Sequence, residues 1–147
     1  MNKEAIKEKI KEIQNKIIQD LISQINEMRE ASDLEEDETK DLEDLSHQEE
    51  AGDMVRGMEE QLVQAENDLL FNQKLSTEKS DEVTLGSFVE TDRLNFYIGT
   101  ALTEFEVEGK KIIGLSTKAP IYIVMRGKRK GDSFSYADKT YKIKAIS

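Results

Sequence analysis

The sequence predicts an α+β protein in which an antiparallel α-helical hairpin is followed by a small, separate β module. Three observations carry that prediction. Apolar residues recur every three or four positions through the first half, with no proline to interrupt them. The second half switches to short, alternating, glycine-punctuated runs. Acidic charge, finally, is concentrated between the two helical arms rather than spread along the 147 residues. The period of the apolar pattern separates helix from strand, because side chains return to one face every 3.6 residues in a helix and every second residue in a strand.

The first arm reads from Ala5 to Arg29. Ile6, Ile10, Ile13, Ile17, Leu21, Ile25 and Met28 form one helical stripe, and Ile18 and Ile22 widen it beyond a narrow coiled-coil seam. An unbroken arm of 25 residues rises about 37 Å at 1.5 Å per residue. A second stripe follows in Leu42, Leu45, Met54 or Val55, Met58, Leu62, Ala65, Leu69 and Leu75. Gly52 and Gly57 weaken its first half, at about 1 kcal/mol each relative to alanine, and are placed to mark a bend. Neither arm buries its apolar face alone, so the two are expected to pair as a coiled-coil hairpin over residues 1–78, reversing between Ser32 and Asp41.

The acid-dense stretch Asp33–Glu60 holds 13 Asp or Glu residues against two bases, Lys40 and Arg56. Since the whole chain has a net charge of −10, nearly all of its excess lies there. Such a patch suits a divalent cation, a basic partner or a disordered segment. His47 lies within it, and is read as a solvated or salt-bridged side chain with metal ligation as the competing role. The methionines Met28, Met54 and Met58 are read as packing residues.

Residues 81–147 carry the β module. Val83–Glu90, Asn95–Gly99, Thr103–Gly109 and Lys111–Ser116 read as strands and turns, followed by the apolar run from Ala119 to Met125, in which Ile121 to Val124 are β-like. Phe134 with Tyr136, and Tyr141 with Ile143, alternate with period two, and turns are expected at Val107–Lys110 and Ala137–Thr140. The expected result is one twisted antiparallel sheet. No triad, metal cluster or phosphate loop is legible in this half. The basic run Arg126, Lys128, Arg129 and Lys130 lacks P-loop spacing and reads as solvated surface, or as a dock for an acidic protein or nucleic acid.

Cysteine is absent, which excludes disulfides and thiolate metal sites. Charges interleave with the apolar residues of MNKEAIKEKIKEI, so the start resembles neither a signal peptide nor a membrane span, and a cytoplasmic protein with no membrane partner is expected. The acidic balance disfavours broad duplex binding through phosphate neutralisation.

Taken in order, the segments VTLGSFV, YIGTALTEF, EGKKIIGLSTKAP, RGKRKGD and KTYKIKAI resemble the C-terminal half of bacterial transcript-cleavage factors of the Gre family. Gly127-Lys128 followed by Gly131-Asp132 matches that family's Gly-Lys-x-x-Gly-Asp turn. Arg29-Glu30-Ala31-Ser32-Asp33-Leu34-Glu35-Glu36-Asp37 resembles its hairpin-tip pattern, with Ser32 in place of glycine and Asp37 in place of asparagine. The family's Ala-Glu-Tyr is absent at Glu38–Lys40.

The resemblance implies an FKBP-like docking module over residues 81–147 and an acidic tip near residues 32–41. It implies an accessory factor with no turnover of its own, which binds RNA polymerase and stimulates cleavage of backtracked RNA. Asp33 and Glu36 would assist the polymerase as the catalytic, metal-holding acids, with Glu35 and Asp37 as neighbouring candidates. A Mg²⁺ shared with the polymerase would be the only ion, with no tightly bound cofactor. The implied partners are the polymerase secondary channel, backtracked RNA near the tip and local DNA contact through the polymerase complex, with Arg126, Lys128, Arg129 and Lys130 on the partner-binding side. The alternatives are a secondary-channel regulator that does not promote cleavage, and a general protein-binding module.

Overall fold

A computed structural model describes residues 2–36 and 42–147, with the side chains of residues 32–49 and 51 outside the described residues. Helix α1 is Lys3–Glu36 and helix α2 is Leu42–Lys74. Strands β1 (Phe88–Thr91), β2 (Asn95–Gly99), β3 (Leu102–Val107) and β4 (Lys110–Ser116) precede a short helix α3 (Pro120–Met125). Strands β5 (Ser133–Tyr136) and β6 (Lys139–Ile146) close the chain. The α+β class and the order of helical hairpin then β module are those expected. Two compact units emerge. The start of α1, up to Lys11, groups with Phe71–Ser147, and the helices between Glu12 and Leu70 form the other.

In the helical unit the buried line of α1 runs through Gln14, Ile18 and Ile25, with Ile13, Leu21, Ile22 and Met28 half-buried. Ile17, placed on the stripe by sequence, is 42% exposed, whereas Ile18 is 7% exposed. The reason is rotational. Consecutive residues differ by about 100° around a helix, so a line that steps by four from Gln14 reaches Ile18 and leaves Ile17 aside. On α2, Met54 is exposed and Val55 half-buried, which decides between the two candidates. Val55, Met58, Leu62, Ala65 and Leu69 then alternate steps of three and four, the spacing of a coiled-coil seam.

Helix α2 runs unbroken through Gly52 and Gly57, so neither glycine ends it. A Cβ at Gly57 would meet nothing within 4 Å. Gly57→Ala should therefore stabilise the protein by about 1 kcal/mol, because the helical backbone loses less entropy without gaining a clash. Thermal or urea unfolding checks this.

The β module is one six-stranded open sheet in the order β3-β4-β2-β1-β6-β5. It is mixed, contrary to the antiparallel expectation, because β4 inserts beside β2 in parallel, pairing Asn95 with Ile112 and Tyr97 with Gly114. The topology supports an open α+β sheet and nothing specifically FKBP-like. Two hairpins turn tightly. Glu108 (φ 51°) and Gly109 (φ 79°) join β3 to β4, while Ala137 (φ 52°) and Asp138 (φ 63°) join β5 to β6. Positive φ at both central residues matches the right-handed twist of the flanking strands. The second turn lies one residue earlier than expected, since Tyr136 pairs with Lys139.

Two further expectations are corrected. Strand β1 starts only at Phe88, because Thr84–Ser87 folds as a turn in which Ser87 Oγ accepts from Thr84 N at 3.0 Å. The β-like run Ile121–Val124 is helical in α3. Pro120 suits a first helical turn, and Ile121 and Tyr122 pack on the core beside buried Met125. Tertiary burial here outweighs β propensity.

The sheet is buried on both faces. Val83, Val89, Phe96, Ile98, Met125, Phe134, Tyr141, Ile143 and Ile146 form the core on one side. On the alternate positions Phe88, Tyr97, Phe105, Val107 and Ile112 are also buried, as are Ile6, Ile10 and Leu75 from the helix ends of this unit. One lysine caps the end of α2 and a second holds the segment beyond it. Lys7 Nζ donates to Gln73 O (2.8 Å) and Leu75 O (2.5 Å), and Lys3 Nζ donates to Glu78 O at 2.6 Å. The Lys7 cation suits the negative end of the helix, and burial lowers the Lys3 ammonium below its ordinary pKa.

Burial also pushes the Tyr97 phenol up to about 12 from 10. A group whose folded pKa is raised stabilises fully below its unfolded pKa and ceases to as pH rises through the folded value. Stability should thus fall as pH rises from 10 through 12. Ultraviolet titration is expected to show one late-ionising tyrosine that disappears in Tyr97→Phe.

Candidate functional site

Two regions hold the residues singled out by sequence, and each belongs to a different unit. Asp33, Glu35 and Glu36 lie at the C-terminal end of α1. Asp33 and Glu36 are three positions apart, neighbouring positions along one side of a helix. Their side chains lie outside the described residues, as does all of Asp37. The side chain of His47, in α2, does too. The expected reversal between Ser32 and Asp41 falls largely on residues 37–41, which lie outside the described residues. Among the described residues, no group of three or more His, Cys, Asp or Glu is placed to hold a metal ion.

The backbone nevertheless gives these acids an electrostatic setting. The 34-residue α1 ends on them with no basic residue in its last turn. A helix C-terminus carries partial negative charge from unpaired carbonyls, and each acid placed there costs about 0.3–1 kcal/mol. The end of α1 is thus charged against its own stability, and a cation or basic surface would relieve that cost. One turn before Asp33, Arg29 on α1 pairs with Glu59 on α2. The pair is exposed, so it contributes little to stability, but it ties the helices together near the acids. Composition alone gave no sign of this tie.

The basic turn is built rigidly from α3 onward. Val83 brackets it, accepting from Gly127 N and donating to Lys128 O, both at 2.9 Å. Asp132 closes it, with Oδ2 accepting from Arg129 N at 2.8 Å. Gly131 N donates to Ile143 O at 2.9 Å, pinning the exit to β6. Gly127 (φ 76°) and Gly131 (φ 90°) occupy the left-handed region that L side chains resist. This explains the Gly-x-x-x-Gly spacing physically. Arg126, Arg129 and Lys130 are exposed and Lys128 is half-buried. Ile123 and Val124 of α3 are exposed nearby in sequence, so cations and aliphatic groups share this part of the module.

No protein-family model and no curated protein matches the chain. Among solved structures, it is similar to one described as the transcription factor Gfh1, at 18% identity, covering 92% of each chain with a TM-score of 0.38. A crystal structure of GreA factor homolog 1 (Gfh1) of Thermus thermophilus is similar at 19% identity, covering 88% of this chain and 94% of that one, with a TM-score of 0.35. Likeness at this level assigns no family. The functional reading below rests on the sequence resemblance and on the site itself.

Proposed function

We propose that this chain regulates RNA polymerase from within the enzyme's secondary channel, with the acidic end of α1 as the inserted element and the basic turn as a docking element. The observation that carries this reading is the acid placement. Asp33, Glu35 and Glu36 stand at the negative end of a long helix, where carboxylates weaken the helix and a cation or basic partner would offset that cost. The segment-by-segment resemblance to transcript-cleavage factors supplies the identity of that partner.

A finer reading is that the acids promote cleavage of backtracked RNA. Asp33 and Glu36 are hard oxygen donors of the kind that suits Mg²⁺, and two carboxylates leave most of an octahedral shell to other ligands. An ion shared in that way would activate water and stabilise charge on the departing oxygen. This chain's part would be to present the carboxylates, while turnover stays with the polymerase. Channel occupation without cleavage is the coarser form of the same proposal. The altered tip, with Ser32 and Asp37, favours it.

Binding to core polymerase tests the reading common to both. Replacing Arg126, Lys128, Arg129 and Lys130 together by glutamine is expected to lower affinity at least about 10-fold and to flatten its salt dependence. Equal binding by the variant and its parent would remove the turn from the interface. No binding by either would end the proposal.

A further inference from the structure

A polar cluster lies where the end of α2 meets β2, and the function above uses none of it. Asn72 continues the half-buried seam of α2 three residues beyond Leu69, at a position where the pattern calls for an apolar side chain. It is 3% exposed. An amide so placed is costly unless its polar atoms are paired. Its Nδ2 donates to Thr100 Oγ1 at 2.7 Å. The other end, Oδ1, is buried and has no protein partner.

Gly99 makes room for that oxygen. A Cβ on Gly99 would lie 2.6 Å from Asn72 Oδ1, 3.1 Å from Leu75 Cδ1 and 3.4 Å from Tyr97 Cε1. Tyr97 and Gly99 are two residues apart on one strand, and so share a face. The Tyr97 hydroxyl is likewise buried without a protein partner, on a residue 1% exposed. An unpaired acceptor and the ring that carries an unpaired donor therefore border a single glycine. A phenol is protonated at neutral pH, so the hydroxyl has a proton to donate. Unpaired buried polar atoms are rare in native proteins, and ordered water is their usual partner.

We infer that Tyr97 and Asn72 bind one buried water molecule beside Gly99, and that with Thr100 they form a latch fixing the axial position of the end of α2 on the sheet. Aliphatic contacts tolerate sliding by a fraction of a turn, whereas a directed amide and a shared water do not. The polar residue in the seam thus acts as a register key. The latch depends on Gly99 having no side chain, and on strand β2 setting Tyr97 and Gly99 on one face.

The test is a double-mutant cycle on the purified chain, read by thermal unfolding at neutral pH. Tyr97→Phe removes only the hydroxyl, and is expected to lower Tm by about 2–4 °C, the shift expected for roughly 1 kcal/mol in a chain of this size. In an Asn72→Leu background, which fills the seam, the same change is expected to move Tm little, because the water has lost its second ligand. An unchanged or higher Tm for Tyr97→Phe alone would show an idle hydroxyl and overturn the latch. Equal losses in both backgrounds would overturn the sharing. Circular dichroism of each variant confirms that a folded protein is being compared.

Discussion

Gly114→Ala is expected to be the most damaging single change of its size in the β module, destabilising it by about 3 kcal/mol or more. The cause lies in the strand order. Strand β3 follows β2 in sequence but sits beyond β4 in the sheet, so the link Thr100–Ala101 must pass over β4. It does so at Gly114. A Cβ there would lie 2.7 Å from Thr100 O, 2.8 Å from Leu102 Cβ and 2.9 Å from Leu102 N. Two of those atoms are backbone, which cannot swing aside as the end of a long side chain would. Overpacking a well-filled site costs typically about 1–3 kcal/mol, and more where the backbone must move. Gly57→Ala makes the matched control, since the same added methyl meets open space. Urea unfolding of the two variants should show opposite signs. A Gly114→Ala protein as stable as its parent would mean that the crossing is looser than described.

The second large effect concerns function, and is expected to oppose stability. Asp33→Ala combined with Glu36→Ala should reduce stimulated RNA cleavage by stalled polymerase about 10²-fold or more, which is the rate equivalent of about 2.7 kcal/mol or more of lost charge stabilisation. The same change removes two negative charges from the negative end of α1. The folded protein should therefore become slightly more stable, by a few tenths of a kcal/mol per residue. Lost activity with gained stability is a signature that a mere folding defect does not produce. Should the parent protein slow polymerase without promoting cleavage, the assay reports that inhibition instead, and the double variant is expected to weaken it. A variant as active as its parent would show that these acids take no part.

Much of the fold was legible because it follows from periodicity. The helical arms, the position of β2, the β3–β4 hairpin and the existence of a β5–β6 hairpin all follow from spacing and turn chemistry. Other features depend on contacts that no local pattern encodes. Choosing Ile18 over Ile17 required the rotation of α1 against its partner. The helical state of Ile121–Val124 required the core that receives Ile121 and Tyr122. The parallel pairing of β2 with β4 required a link to cross a strand, and Gly114 is its only trace in sequence. At the site, the Gly-x-x-x-Gly turn was visible and its hydrogen bonds to Val83 and Ile143 were not, because both partners are distant along the chain. Asn72 was hidden for a similar reason. Its role depends on a glycine and a tyrosine in another element.

The absence of cysteine makes the central claim directly measurable. Ser32→Cys introduces a unique thiol one residue before Asp33, to which a short photoactivated cross-linker can be attached. On illumination of the complex with core RNA polymerase, cross-links are expected to polymerase segments that line the secondary channel beside the catalytic centre. Cross-links confined to the outer surface, or none from a complex shown to have formed, would contradict the claim.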